Sequence, residues 1–291
     1  MNDADNIQQN NRPGDVAGIR ARVHEMLRLK GPQKPAALLR LVLQTRKTPQ
    51  ALADRLVATW LEGDERFEKD GKLWRLSRTH NDSPRLSDVS FTVVDFETTG
   101  CNPMRDRIIE IGACRVTGGK VTSRYATLIN PGMEVPGMIT ALTGINTAML
   151  VDAPPMAEVA PTFMEFLEGN VFVAHSARFD FGFLNGELRR LGREPLADRP
   201  VCTVQLTRRM FPGLGSYSLG NVVVHFDIPL DDAGRHRAPS DSWATAELLI
   251  RCVGEMERYG IDTFGALERL LHTPPRRVQQ LLQTNPEWFV E

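Results

Sequence analysis

Between Phe91 and Tyr259, short runs rich in Val and Ile alternate with longer stretches whose apolar residues recur at helical spacing. Short β-branched runs bury best on a sheet, and an amphipathic helix needs a surface for its apolar stripe. The alternation therefore specifies an α/β domain in which helices cover a mixed sheet. Strand candidates are Phe91 to Phe96, Arg107 to Val116, Lys120 to Ile129, Val171 to His175 and a short one at Pro200 to Thr203. Helix candidates are Met156 to Glu168, Phe179 to Leu191, Leu206 to Phe211, Leu219 to Phe226 and Ser240 to Tyr259. Turn residues at Gly118 and at Asn130 make the first three strands a meander.

A different pattern precedes this domain. Met1 to Gly14 is rich in Asn, Gln and Asp and is expected to be a disordered tail. Helices follow around Ile19 to Leu29 and from Pro35 to Gln44, and a third opens with Thr48 as N-cap and Pro49 in the first turn. That third helix is expected to carry Leu52, Leu56 and Trp60 on one stripe. Asp70-Gly71, between alternating apolar and charged residues, signals a hairpin. The ThrProGlnAlaLeuAlaAspArgLeu segment, the AspGluArgPhe segment and the GlyLysLeuTrpArgLeu strand resemble the winged helix-turn-helix modules of the HARE type, as in the delta subunit of bacterial RNA polymerase. The resemblance implies a DNA-binding or protein-docking module, with a helical cap on the main domain as the alternative.

Composition bounds the rest. With 42% hydrophobic and 24% charged residues the chain can bury a core, and a net charge of -1 means that nucleic-acid binding would rest on local Arg clusters or bound metal. The cysteines at 101, 114, 202 and 252 have no zinc-like or disulfide spacing and read as reduced, mostly buried thiols. No apolar run approaches the roughly 20 residues of a membrane helix. The polar opening lacks a signal-peptide core, so a cytoplasmic location is expected.

Three segments carry chemistry. In PheThrValValAspPheGluThrThrGly, Asp95 and Glu97 are two apart on a strand, so both carboxylates project from one face. Such a pair suits Mg²⁺ or Mn²⁺, and two ions about 4 Å apart can stabilise the attacking and leaving oxygens of phosphodiester hydrolysis; solvated acids at a strand end are the alternative. Asp180, in the first turn after ValPheValAlaHisSerAlaArgPhe, reads as a ligand or as a cap. In GlyArgHisArgAlaProSerAsp, His236 lies in a loop and Asp241 begins a helix. A loop imidazole can take a proton from water near neutral pH, although a surface His and a helix cap would look the same.

Together these segments resemble the DnaQ-like exonuclease superfamily of the DEDDh type, which includes the proofreading ε subunit of DNA polymerase III. The first motif is Asp95-Phe-Glu97-Thr-Thr-Gly, the second ends at Asp180, and the third runs from His236 to Asp241. IleAsnProGly at Ile129, IleThrAlaLeuThrGlyIle at Ile139, AlaProPro at Ala153 and ThrArgArgMetPheProGlyLeu at Thr207 also fit, so the likeness spans Ser90 to Tyr259. It implies a ribonuclease H-like mixed five-stranded sheet flanked by helices, preceded by the small winged-helix-like domain. It further implies that Asp95, Glu97, Asp180 and Asp241 bind two Mg²⁺ or Mn²⁺ ions and that His236 is the base. Thr98, Leu142 and Thr143 would lie beside the terminal nucleotide, with Phe179 and Phe183 as apolar walls. Ser176, where many relatives have Asn, and Ser242, where Ala is usual, depart from the pattern without removing a ligand.

Other residues read as follows. His175 makes a structural hydrogen bond or a substrate contact, and the remaining histidines are ordinary. Arg178, Arg235 and Arg237 flank the acidic centre and could meet phosphates, whereas Arg189, Arg190 and Arg193 form a solvated face. The domain expectation is a tail at 1–14, the winged-helix-like domain at 15–79, a linker at 80–89, the exonuclease domain at 90–260 and a C-terminal helical extension at 261–291. The leading function is a two-metal 3′-5′ exonuclease, a hydrolase acting on ester bonds, that takes single-stranded or frayed 3′ ends of DNA to nucleoside 5′-monophosphates in repair or proofreading. Its rivals are an RNA-trimming exoribonuclease and a non-catalytic nucleic-acid-binding scaffold. The N-terminal module is expected to meet a DNA polymerase or another repair or replication protein.

Overall fold

The computed structural model describes residues 16–45, 49–77, 83–197, 199–229 and 236–289. They form two compact units, one running to Pro84 and resuming at Tyr259, the other spanning Arg85–Arg258.

In the first unit, helix α1 (Val16–Lys30) buries Ile19, Val23 and Leu27, which recur every four residues along one face. Helix α2 (Pro35–Leu43) starts with Pro in its first turn and buries Leu38, Leu39 and Val42. Helix α3 (Gln50–Leu61) follows Pro49, while Thr48 lies outside the described residues. Its buried stripe is Ala53, Val57, Trp60 and Leu61. This corrects the expected stripe, because Leu52 is exposed and Leu56 only half-buried: the buried face begins one position later. Strands β1 (Phe67–Asp70) and β2 (Leu73–Leu76) pair antiparallel, with Gly71 at φ 55° in the two-residue turn.

The C-terminal residues belong to this same unit. Helix α11 (Phe264–His272) is capped by Thr263, whose hydroxyl accepts from the Ala266 N–H, and it buries Ala266, Leu267 and Leu270. Helix α12 (Pro275–Thr284) buries Val278, Leu281 and Leu282. Arg28 of α1 pairs with Glu268, and Gly31 leaves room for the Trp288 ring, which an added Cβ would meet at 3.1 Å. The segment expected as a separate extension thus completes the packing around α1.

In the second unit the sheet order is β5-β4-β3-β6-β7, the mixed five-stranded sheet expected from the sequence. Strands β3 (Phe91–Thr98), β4 (Ile108–Thr117) and β5 (Lys120–Leu128) form the antiparallel meander, and β6 (Val171–Ala174) and β7 (Val201–Cys202) add in parallel. Short helices α4 (Gly137–Thr143) and α5 (Thr147–Leu150) lie between the meander and β6, in a stretch with no element among the strand and helix candidates. One face of the sheet packs Val94, Phe96, Ile111 and Ala113 against Val159, Ala160 and Phe163 of α6 (Met156–Leu167) and Phe183, Leu184 and Leu188 of α7 (Arg178–Arg190). The fold continues through α8 (Thr203–Met210) and α9 (Leu219–His225) to α10 (Ala238–Arg258), which lies on β3 and β4. Cys114 and Cys252 are buried free thiols, Cys202 is half-buried and Cys101 exposed. Among the described residues no helix is long and apolar enough to cross a membrane.

This connectivity dictates how the chain tolerates truncation. A fragment of residues 85–258 should unfold cooperatively and stay monomeric, because it keeps its own core. Deleting 1–84 while retaining 259–291 should aggregate, because Leu267 and Leu270 lose the α1 surface. Thermal denaturation and size-exclusion chromatography of both check this, and equal behaviour would refute it.

Candidate active site

Strand β3 alternates, so Val94 and Phe96 enter the core while Asp95 and Glu97 face the other way, toward α10. Across the β3–β4 ladder, Gly112 stands opposite Asp95 and Glu110 opposite Glu97. A Cβ on Gly112 would fall 2.1 Å from the carbonyl carbon and oxygen of Ala238. The first turn of α10 thus rests on bare backbone, and that approach brings Asp241 to the strand end. One carboxylate oxygen from each of Asp95, Glu97 and Asp241 lies within 4.8 Å of the others.

Asp180, in the first turn of α7, is buried beside them. Its Oδ1 accepts the Phe96 N–H at 3.2 Å, the amide between Asp95 and Glu97. Burial pushes the Asp180 carboxyl up to about 8 against the opposing pull of its backbone hydrogen bonds. Burial and then the charges of Asp241 and Glu110 raise Glu97 to about 7. Asp95 is raised well above the carboxylate range by burial and then by Asp180, Asp241, Glu97 and Glu110. A set of carboxylate oxygens that repel one another in a part-buried site fits a hard divalent cation, which prefers oxygen ligands and would relieve the repulsion.

His236 is exposed and lines an open cleft of about 250 Å³ with Asp95, Asp241, His175, Leu219 and Val223. Its backbone is left-handed, at φ 60°. The next residue, Arg237, places its guanidinium on Glu110: Nε lies 3.1 Å from both carboxylate oxygens and Nη2 lies 2.5 Å from Oε1. The Ala238 N–H donates to Oε2 of the same carboxylate at 2.9 Å. The sequence reading missed Glu110 and Gly112. The available signal was a lone acid and a lone glycine inside the apolar run IleIleGluIleGlyAla.

The exonuclease family profile (RNase_T) matches residues 92–249, from β3 through most of α10. This chain belongs to that exonuclease family. It is 38% identical over 186 residues to the DNA polymerase III subunit epsilon of Aquifex aeolicus, a match covering 64% of this chain and 91% of that protein. It is 36% identical over 197 residues to the PolC-type DNA polymerase III of Thermotoga maritima, covering 67% of this chain and 14% of that much longer protein. Among solved structures, E. coli exonuclease I in complex with a dT13 oligonucleotide superposes with a TM-score of 0.52 at 19% identity, covering 59% of this chain and 42% of that one, a likeness of fold. The DnaQ-like assignment and the ribonuclease H-like fold are borne out. The enzyme is a hydrolase of the exonuclease type, in a divalent-metal-dependent family.

Within this exonuclease the remaining expected residues divide. Leu142, on α4, is exposed, and Thr143 is buried with its hydroxyl donating to the Ile139 carbonyl at 3.0 Å. The Thr98 hydroxyl donates to the Gly100 carbonyl at 2.5 Å. Phe179 is half-buried, its ring 4.7 Å from that of Phe183. Phe183 has 0% exposure and belongs to the core, which corrects its reading as a substrate wall: it lies on the inward stripe of α7 with Leu184 and Leu188. His175 makes structural hydrogen bonds while also lining the cleft. Its Nε2–H donates to the Tyr217 carbonyl and its Nδ1 meets the Thr203 hydroxyl, both at 2.9 Å, and burial lowers it to about 4, which keeps it neutral.

Among the arginines, Arg237 is committed to Glu110 and Arg178 is exposed, while Arg235 lies outside the described residues. Arg189, Arg190 and Arg193 are exposed, as expected of a solvated face, and Arg190 also donates to the Pro103 carbonyl at 2.7 Å and pairs with buried Glu187 at 3.2 Å. Both departures from the family pattern are accommodated. Ser176 takes a left-handed φ of 70°, a conformation that Asn adopts readily, and the buried Ser242 hydroxyl donates to the Pro239 carbonyl at 3.0 Å.

Two expectations follow from this packing and charge. Gly112→Ala should destabilise the protein by about 1–3 kcal/mol, the usual cost of overpacking, and weaken Mn²⁺ binding by displacing α10. Denaturant unfolding and calorimetric titration read both effects, and unchanged metal affinity would contradict the role of Gly112. In chelator, the melting temperature should fall as pH rises from 5 to 8.5. Glu97 and Asp180 have folded-state values of about 7 and about 8, so across that window the folded chain holds more protons than the unfolded one and loses stability as they leave. Added Mg²⁺ should flatten the profile, and a flat profile in chelator would refute the account.

Proposed function

We propose that this exonuclease hydrolyses DNA from 3′ ends to nucleoside 5′-monophosphates, in proofreading or repair. The observation that carries the reading is the meeting of Asp95, Glu97 and Asp241 within 4.8 Å at a cleft that His236 also lines, with Asp180 beside them. Two Mg²⁺ or Mn²⁺ ions held by these four carboxylates would neutralise charge on the attacking and leaving oxygens. His236 accepts the proton of the attacking water on an imidazole nitrogen, for which its exposure in the cleft suits it. Exposed Leu142 and half-buried Phe179 are the apolar surfaces offered to the terminal nucleotide, with Thr98 and Thr143 shaping the backbone beneath it.

The choice of DNA rests on the relatives, which are named as DNA polymerase III components. The first unit, with its helices and hairpin, is proposed as the winged-helix-like part that docks on duplex or on a polymerase.

The test is digestion of matched single-stranded DNA, RNA and mismatched primer duplexes with Mg²⁺ or Mn²⁺. DNA with a 3′-hydroxyl should be shortened to mononucleotides, a 3′-phosphate should block the reaction, and a circular strand should survive. Faster trimming of RNA would move the assignment to an exoribonuclease, and cutting of the circle would mean an endonuclease. Asp95→Ala should abolish turnover. His236→Ala should slow it on the order of 10²- to 10⁴-fold while leaving metal affinity intact. Near-normal rates in either variant would sink the mechanism.

A further inference from the structure

We infer that Arg237, docked on Glu110, is a positioning residue that aims His236 into the cleft. The inference rests on the nuclease reading above and adds to it the device that fixes the base. A non-glycine residue in the left-handed region costs about 1–2 kcal/mol, so the φ of 60° at His236 persists only where the neighbouring chain is held. Immediately after it, Arg237 makes three contacts of 2.5 to 3.1 Å to one carboxylate, which also accepts the Ala238 N–H. The Arg237 carbonyl in turn accepts the Asp241 N–H at 3.0 Å.

The anchor is as informative as the clamp. Glu110 is 2% exposed, sits between Ile109 and Ile111 as the third residue of β4, and is the ladder partner of Glu97. A buried carboxylate beside an acidic cluster raises the electrostatic cost of that cluster, and an apolar residue would serve packing better. What Glu110 supplies is a fixed point, one ladder step from Glu97, to which a planar guanidinium fork can lock in a single orientation. Lysine at position 237 would keep the charge and lose the fork. The Ala238 N–H bond to Glu110 would remain, so the helix bearing Asp241 keeps its place while the His236 backbone is released.

The experiment uses the full chain and compares Arg237→Lys in the parent and in the His236→Ala background, on a 3′-hydroxyl single-stranded oligonucleotide. In the parent, kcat should fall on the order of 10- to 100-fold, as for an ångström-scale misplacement, with KM within about twofold. In the His236→Ala background the same change should cost about twofold or less, because the residue it positions is gone. Equal losses in both backgrounds, or none in the parent, overturn the proposal. A readout independent of turnover is the ¹⁵N-histidine NMR spectrum: Arg237→Lys should split or broaden the His236 ring signals and leave those of His175 unchanged. Unaltered His236 signals overturn the positioning role whether or not the protein proves to be a nuclease. A parent that shortens no 3′ end counts against the nuclease reading alone, and the NMR result then decides this one.

Discussion

The contact between the backbone of Ala238 and the bare Cα of Gly112 sets the spacing on which the acidic centre depends. A helix normally stands off a sheet by the thickness of intervening side chains. Here that layer is missing at one rung, and the first turn of α10 drops onto β4 at the position paired with Asp95. Asp241, three residues beyond Ala238, then reaches Asp95 and Glu97 although the chain between them runs across the entire sheet. The apolar face opposite, with Val94 and Phe96 locked against α6 and α7, keeps β3 from yielding to the repulsion on its other side.

That repulsion is the cost of the site. Four carboxylates converge there, and Asp95, Glu97 and Asp180 are all held above their ordinary range by burial and then by neighbouring carboxylates. Relief comes locally, from the Phe96 N–H on Asp180 and from the Arg237 guanidinium near Glu97. The sheet unit thus carries a destabilised patch that its core must outweigh, the usual relation between a preorganised polar site and the scaffold around it.

Much of this was legible in the sequence, and the parts that were not share a physical reason. Asp95 and Glu97 could be placed on one face because strand periodicity is local. The helix-start positions of Asp180 and Asp241 followed from where apolar periodicity changes, and the sheet from the alternation of runs. Glu110 and Gly112 were hidden because their meaning lies in a partner 128 or so residues away. Phe183 was misread because a helix face near a site resembles a wall until the core on its other side is known. The Leu52 stripe in α3 failed by one residue, which on a helix turns a side chain by about 100° and carries it out of the core.

The return of the last helices to the first unit also orders events in time. A chain made from its N-terminus presents α1 to α3 and the hairpin before the sheet unit, yet Arg28 and Gly31 find Glu268 and Trp288 only after that unit has emerged. The intervening sheet unit contains every residue of its own core and can condense during that interval. The unit begun ahead of the sheet unit is therefore completed after it, when Glu268 reaches Arg28 and Trp288 reaches Gly31 beside an α1 whose apolar face is already seated among α2, α3 and the hairpin.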